Sequence, residues 1–197
     1  MQLDALHAHI HDNLVRVVEM LRDAGVPEPR LELRRLSSCS LGEFAERSVC
    51  DEEDLIAGAM MSFRGRLPGS ALLVLEPEDA LDWIGARASE EDPIDRFLDL
   101  AGRLTRHLVE VIAEDWQCSI ELSAASLEEN PVLVALLSTH APPDTVLLSL
   151  RLQLTTRELD APADLHLLME RKPLEFLLAE PSGGVPSAPS TPHTLPS

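Results

Sequence analysis

The chain has 197 residues, 45% of them hydrophobic, which is enough for one globular domain of ordinary size. Its 16 basic and 34 acidic residues leave a formal charge of −18, which disfavours a phosphate backbone or an anionic membrane surface as partner. Cys39, Cys50 and Cys118 are odd in number, scattered and never in a C-x-x-C pair, a pattern of reduced cytosolic thiols.

The opening segment reads as a helix, because Leu6, Ile10, Leu14, Val17, Val18 and Leu21 recur at spacings of three and four. Gly25, Pro27 and Pro29 stop it. LELRRL (31–36) alternates as a short strand, and Ser40 with Glu43 three later is a capping-box signature for a short helix. After the acidic loop DEED (51–54), LIAGAMMSF (55–63) reads as a buried strand. RLPGS (66–70) is a turn, ALLVLE (71–76) a strand, and EPEDALDWIGAR (76–87) a short helix with acidic residues crowding its start.

The same pattern then begins again. Residues 94–116 form a second long amphipathic helix, SIELSA (119–124) is strand-like, and Asn130-Pro131 can cap and open a short helix. TVLLSLRLQL (145–154) and ADLHLLME (163–170) are strands around a turn, and KPLEFLLAE (172–180) is a closing helix. The stretch from Pro181 to Ser197 is Pro, Ser, Gly and Thr with almost nothing to bury, so a disordered tail is expected and the folded part should end near Glu180. No basic region followed by an apolar run opens the chain, and no run approaches the ~20 apolar residues of a membrane span. A cytoplasmic protein is expected.

The two halves superpose. Asp4 falls on Asp95 and, at the same offset, Val18-Glu19 on Val109-Glu110. Leu81-Asp82-Trp83-Ile84 falls on Leu174-Glu175-Phe176-Leu177 at an offset two larger. An internal duplication over roughly 1–90 and 91–180 follows, each copy already containing two layers. The fold class is therefore α+β: a pseudo-two-fold domain over 1–180, with a central, mostly antiparallel sheet flanked by two equivalent long helices.

The element order, the LDAL start and the string MSFRGRLPGSALLVLEPEDALDWI resemble the CheC–CheX–FliY family of chemotaxis phosphatases over residues 2 to 180. In that family a long helix carries Asp or Ser, three residues, Glu, two residues, Asn, and a Pro follows some two dozen residues on. The resemblance implies that Glu engages a response regulator and that Asn positions the water attacking its aspartyl-phosphate. In the first copy Asp4 matches, but Ala8 replaces Glu and His11 replaces Asn. In the second Asp95 matches, Asp99 replaces Glu and Gly102 replaces Asn. Arg34 and Ala125 stand where the Pro belongs. Ala8 carries no charge and Gly102 has no side chain to hold a water. His11 and Asp99 are the weak catalytic candidates that remain.

His7, His9 and His11 cluster within five residues. His7 and His11 share a helix face at a metal-binding spacing, but no third ligand is marked, so a solvated surface is expected for all three and no metal site is assigned. Asp95 and Asp99 share a face near a helix start, where the dipole favours them, and they can meet a basic group of a partner. Trp116 and Cys118 read as core or near-core. No catalytic triad follows from spacing, and RLPGS lacks the lysine and glycine spacing of a phosphate loop.

The reading is a signalling protein with altered phosphatase motifs. It binds a response-regulator receiver domain or a receptor-modifying protein through Asp4, His11, Asp95, Asp99 and Gly102. It needs no cofactor of its own, since Mg would belong to a receiver-domain partner. The alternatives are a phosphatase with remodelled sites and a relative of the flagellar-switch middle domain, for which the sequence offers no switch-specific segment.

Overall fold

The computed structural model describes residues 3–47, 56–66, 68–84, 92–128, 144–156, 160–172 and 174–175. The opening stripe becomes the inner edge of helix α1 (Leu3–Asp23), where Leu6, Ile10, Leu14, Val17 and Leu21 are buried. The second amphipathic segment becomes α4 (Pro93–Asp115), which buries ten residues, among them Phe97, Leu104, Leu108 and Ile112. Asp92 caps α4, its side chain accepting from the Ile94 amide at 2.9 Å. Both long helices end alike. The Val26 amide donates to the Leu21 carbonyl and Gly25 to Arg22, with Gly25 at φ 88°. In α4 Cys118 donates to Ala113 and Gln117 to Glu114, with Gln117 at φ 48°. These are paired Schellman motifs, which leave one residue left-handed.

The strands are β1 (Arg30–Ser40), β2 (Ala57–Gly65), β3 (Gly69–Leu75), β4 (Ile120–Leu122), β5 (Ser126–Glu128), β6 (Thr145–Thr155) and β7 (Asp160–Glu170). They form one antiparallel sheet in the order β1-β6-β7-β3-β2-β4, with β5 also on β2. Exchanging β1 with β4 and β5, β2 with β6, and β3 with β7 reverses this order onto itself. Each half lends its first strand to the other half's edge.

The register carries the same symmetry. Leu33 lies opposite Leu152 but Arg35 opposite Arg151, so β1 has one extra residue at Arg34. Leu122 lies opposite Phe63 but Ser126 opposite Met60, so the β4–β5 edge also has one extra residue. Ninety-one residues, the offset from Asp4 to Asp95, separate Arg34 from Ala125. Both edges bulge at the same place.

Alternation sorts the side chains. Leu73, Leu148, Leu150, Leu152, Leu165 and Leu167 face α1 and α4 in the main core, joined by Trp83 and Ile84 of α3 (Pro77–Ile84). On the opposite face α2 (Leu41–Arg47) packs Leu41 over Leu147 and Leu168. The capping box is present: Glu43 accepts from the Ser40 amide at 2.8 Å, and Ser40 Oγ accepts from the Glu43 amide at 3.2 Å.

Three expectations are corrected. The first strand runs from Arg30 through Ser40, well past LELRRL, because its second half pairs with the first half of β6. SIELSA is strand only over Ile120–Leu122, and Ser126–Glu128 is a further strand, since the bulge interrupts one edge into two short pieces. Gly65 ends β2 at φ 131°, where a Cβ would collide with the Ser119 carbonyl. RLPGS is not turn to its end: Gly69 and Ser70 already pair with Phe63 and Ser62 as the start of β3. The loop at 51–54, the short helix from Pro131 and the tail from 181 lie outside the described residues. The closing helix is described only at 171–172 and 174–175.

Candidate functional site

Helix geometry separates the three histidines. His11 is exposed, with Nδ1 3.7 Å from the still more exposed Asp12. His7 is half-buried. His9 is not a solvated residue: its Nε2 donates to the Val111 carbonyl of α4 at 3.1 Å, and Nδ1 lies 3.8 Å from Asp115. It lies where α1 crosses the last turns of α4, beside the Arg16–Glu114 pair. That pair is two-pronged, at 2.6 and 3.0 Å. The guanidinium holds the Glu114 carboxyl below its usual range, and the carboxylate raises Arg16 in turn. Among the described residues no three metal-ligating side chains converge.

The second copy of the motif frame lies on a surface groove of about 370 Å³. Helix periodicity sets Asp95, Leu98, Asp99, Gly102, Arg103 and Arg106 along one wall of α4. The opposite wall is the bulge at Ser123, Ala124 and Ala125, with Met61 of β2 below. The structure thus brings together the sequence-singled positions 95, 99, 102 and 125, which are up to 30 residues apart. Ser123 is fixed to the sheet edge, its amide donating to the Ser62 carbonyl and its Oγ accepting from the Ser62 amide.

Two details alter what these residues offer. Asp99 is not a bare carboxylate: Arg103 Nε reaches its two oxygens at 3.0 and 2.9 Å, an i,i+4 pair with both side chains more than half exposed. Gly102 is half-buried, and a Cβ there would lie 3.3 Å from the Ala125 Cβ. Its missing side chain lets α4 approach the bulge, so the space is partly filled by the chain itself. Arg103 and Arg106 also line the groove. Neither was singled out in the sequence, because only the bulge shows that the α4 face above it is a wall.

In the first copy Asp4, Ala8 and His11 are all exposed on α1, and Arg34 at the β1 bulge pairs with Glu32 at 2.8 Å. Trp116 is buried and Cys118 half-buried, and burial pushes the Cys118 thiol up. On the α2 face His166 shares a 2.9 Å hydrogen bond with Ser149 and meets the Phe44 ring edge-on. Burial lowers its pKa, against an opposing pull from Asp164. No described helix is long and apolar enough to cross a membrane.

No family model and no curated protein matches the sequence. Solved structures share the fold at low identity. The FliM middle domain from H. pylori aligns at TM-score 0.59 and 13% identity, covering 90% of this chain and 96% of that one. A FliG–FliM complex from H. pylori gives 0.60 and 15%, covering 90% and 97%. Thermotoga maritima FliY gives 0.55 and 10%, covering 86% and 88%. The architecture is that of the CheC-like fold, a central antiparallel sheet flanked by helices.

Proposed function

We propose that this chain is a non-catalytic docking protein of chemotaxis or two-component signalling, and that it binds a partner through the α4 groove. The observation that carries the reading is the groove itself. Asp95, Asp99 and Gly102 face the bulge at Ala125, so the binding frame of the resembled family is retained while its water-holding position is glycine. Orienting a water needs a donor or acceptor at hydrogen-bond distance. Gly102 supplies none, and Asp99 is already committed to Arg103. On α1 the carboxylate position is Ala8, which leaves His11 and Asp4 as a weaker contact face.

The partner proposed first is a response-regulator receiver domain, whose Mg would stay with that domain; a receptor-modifying protein is the other signalling candidate. FliM of H. pylori was solved in complex with FliG, and this adds a FliG-type partner to the set. The proposed setting is the cytoplasm, and the proposed folded unit is 1–180 with half-repeats near 1–90 and 91–180.

The test has two arms. Calorimetry against the receiver domain should show binding that Asp99→Lys weakens at least about tenfold, since it sets a third cation beside Arg103 and Arg106. Ala8→Lys should matter much less. Phosphate release from the phosphorylated regulator should not be accelerated. A large acceleration, abolished by His11→Ala or Asp99→Ala, would restore the phosphatase reading. Equal effects of the two lysine substitutions would remove the α4 groove as the docking face.

A further inference from the structure

A second groove, of about 320 Å³, lies between α3 and the start of α4. The described residues lining it are all apolar, including Ala80, Leu81 and Ile84 of α3, Ile94 and Phe97 of α4, and Leu127 of β5. Of the three large hydrophobic residues exposed among the described residues, two flank this groove: Leu81 at 61% and Ile94 at 46%. The duplication aligns Leu81 with Leu174, which is only 3% exposed. The second half buries the position that the first half leaves open.

The groove is framed by carboxylates. Glu76, Glu78 and Asp82 are exposed around α3, and Asp92 and Asp95 are exposed at the start of α4. From Glu76 to Asp95 the sequence has eight acidic residues and one arginine. Asp79 is half-buried, and burial, then Asp82 and Glu78, hold its carboxyl above the usual range. Apolar side chains beside a net negative rim disfavour several occupants. An anionic membrane is repelled. A second copy would bring another −18 and the same rim. The segment 181–197 contains no Lys or Arg to answer the rim.

We infer that the α3–α4 groove is a docking site for a cationic amphipathic helix of a partner protein. Apolar residues at i, i+3, i+4 and i+7 enter between Leu81 and Ile94, and Lys or Arg on the flanks meet Glu78 and Asp82. The site shares only the rim residue Asp95 with the bulge-side groove of α4 and does not depend on a receiver-domain partner.

The probe is a short labelled peptide with Leu at i, i+3, i+4 and i+7 and Lys elsewhere, followed by fluorescence anisotropy at two salt concentrations. Its controls are a scrambled peptide of the same composition and an isomer with Glu for Lys. The amphipathic peptide should bind, more weakly as salt rises, and the Glu isomer should not. Leu81→Gln with Ile94→Gln should weaken binding at least about tenfold. Glu78→Lys with Asp82→Lys should do likewise and flatten the salt dependence, while Glu19→Lys with Glu121→Lys, an equal charge change elsewhere, should have little effect. The rim pair sits on exposed positions, so it stays informative should the groove pair perturb folding. Equal binding of the scrambled peptide, or undiminished binding by both the groove and rim variants, overturns the inference. So does a dimer that the groove variant dissolves in sedimentation, since the occupant would then be a second copy.

Discussion

His9 and His11 stand two residues apart on one helix, yet they belong to different environments. A helix turns about 200° over two residues, so one faces α4 and the other faces water. His9→Ala should destabilise the fold by about 1 kcal/mol, through the lost bond to the Val111 carbonyl and the space left between the helices. His11→Ala should stay within about 0.5 kcal/mol. Urea titrations of both variants check this, and equal losses would contradict the assignment. His166 gives a pH effect of definite sign. Burial lowers its folded pKa, so the unfolded chain binds the proton more readily. Its contribution is fully present above the ordinary histidine pKa and is lost as pH falls through the lowered folded value. Thermal melts between pH 7.5 and 5 (a window chosen about the ordinary pKa of ~6.5) should show a decline in midpoint that His166→Gln makes shallower. An unchanged slope would place the acid sensitivity among the carboxylates.

At the scale of elements, the paired helix ends carry the same motif with different residues. Gly25 adopts φ 88° freely, whereas Gln117 takes φ 48° with a side chain in place. Gln117→Gly should therefore stabilise by about 1 kcal/mol, read as a raised urea midpoint at constant slope. Gly65→Ala should act in the opposite sense. It places a Cβ against the Ser119 carbonyl at positive φ, and about 2–3 kcal/mol should be lost. A neutral Gly65→Ala would mean that the β2 end and Ser119 separate at low cost. The bulges matter most for the groove, because the extra residue on the β4–β5 edge raises Ala125 towards Gly102 and makes a groove of what would otherwise be a flat sheet margin.

For the whole molecule, the charge of −18 is the dominant long-range term. Self-repulsion opposes the compact state and is screened within about 10 Å at ~0.1 M salt. Raising NaCl from about 20 to 200 mM should raise the thermal midpoint by a few degrees. A fall instead would mean that exposed pairs such as Arg16–Glu114 and Arg103–Asp99 outweigh the net repulsion. Deleting 181–197 should leave the midpoint within about 5 °C, since the segment supplies little apolar surface. A larger drop would show that it docks.

The sequence by itself determined the elements whose signals are local. The stripes at three and four residues placed α1 and α4, Ser40 and Glu43 placed the start of α2, and the repeated order implied two matching halves. It also placed Asp95, Asp99 and Gly102 on one helix face, because helix periodicity needs no tertiary information. Strand exchange between the halves, the length of β1, the separate β5 and the two matching bulges were decided only by the tertiary structure. Each depends on pairing between residues far apart in the chain, and hydrophobic alternation does not choose a partner. The same holds for the sites. Asp99 was legible as a charge but not as one held by Arg103, His9 was legible as a helix residue but not as a strut to Val111, and Leu81 looked like an ordinary apolar position. Packing alone left Leu81 in water beside Ile94 while burying its counterpart Leu174, and neither exposure follows from the residue type.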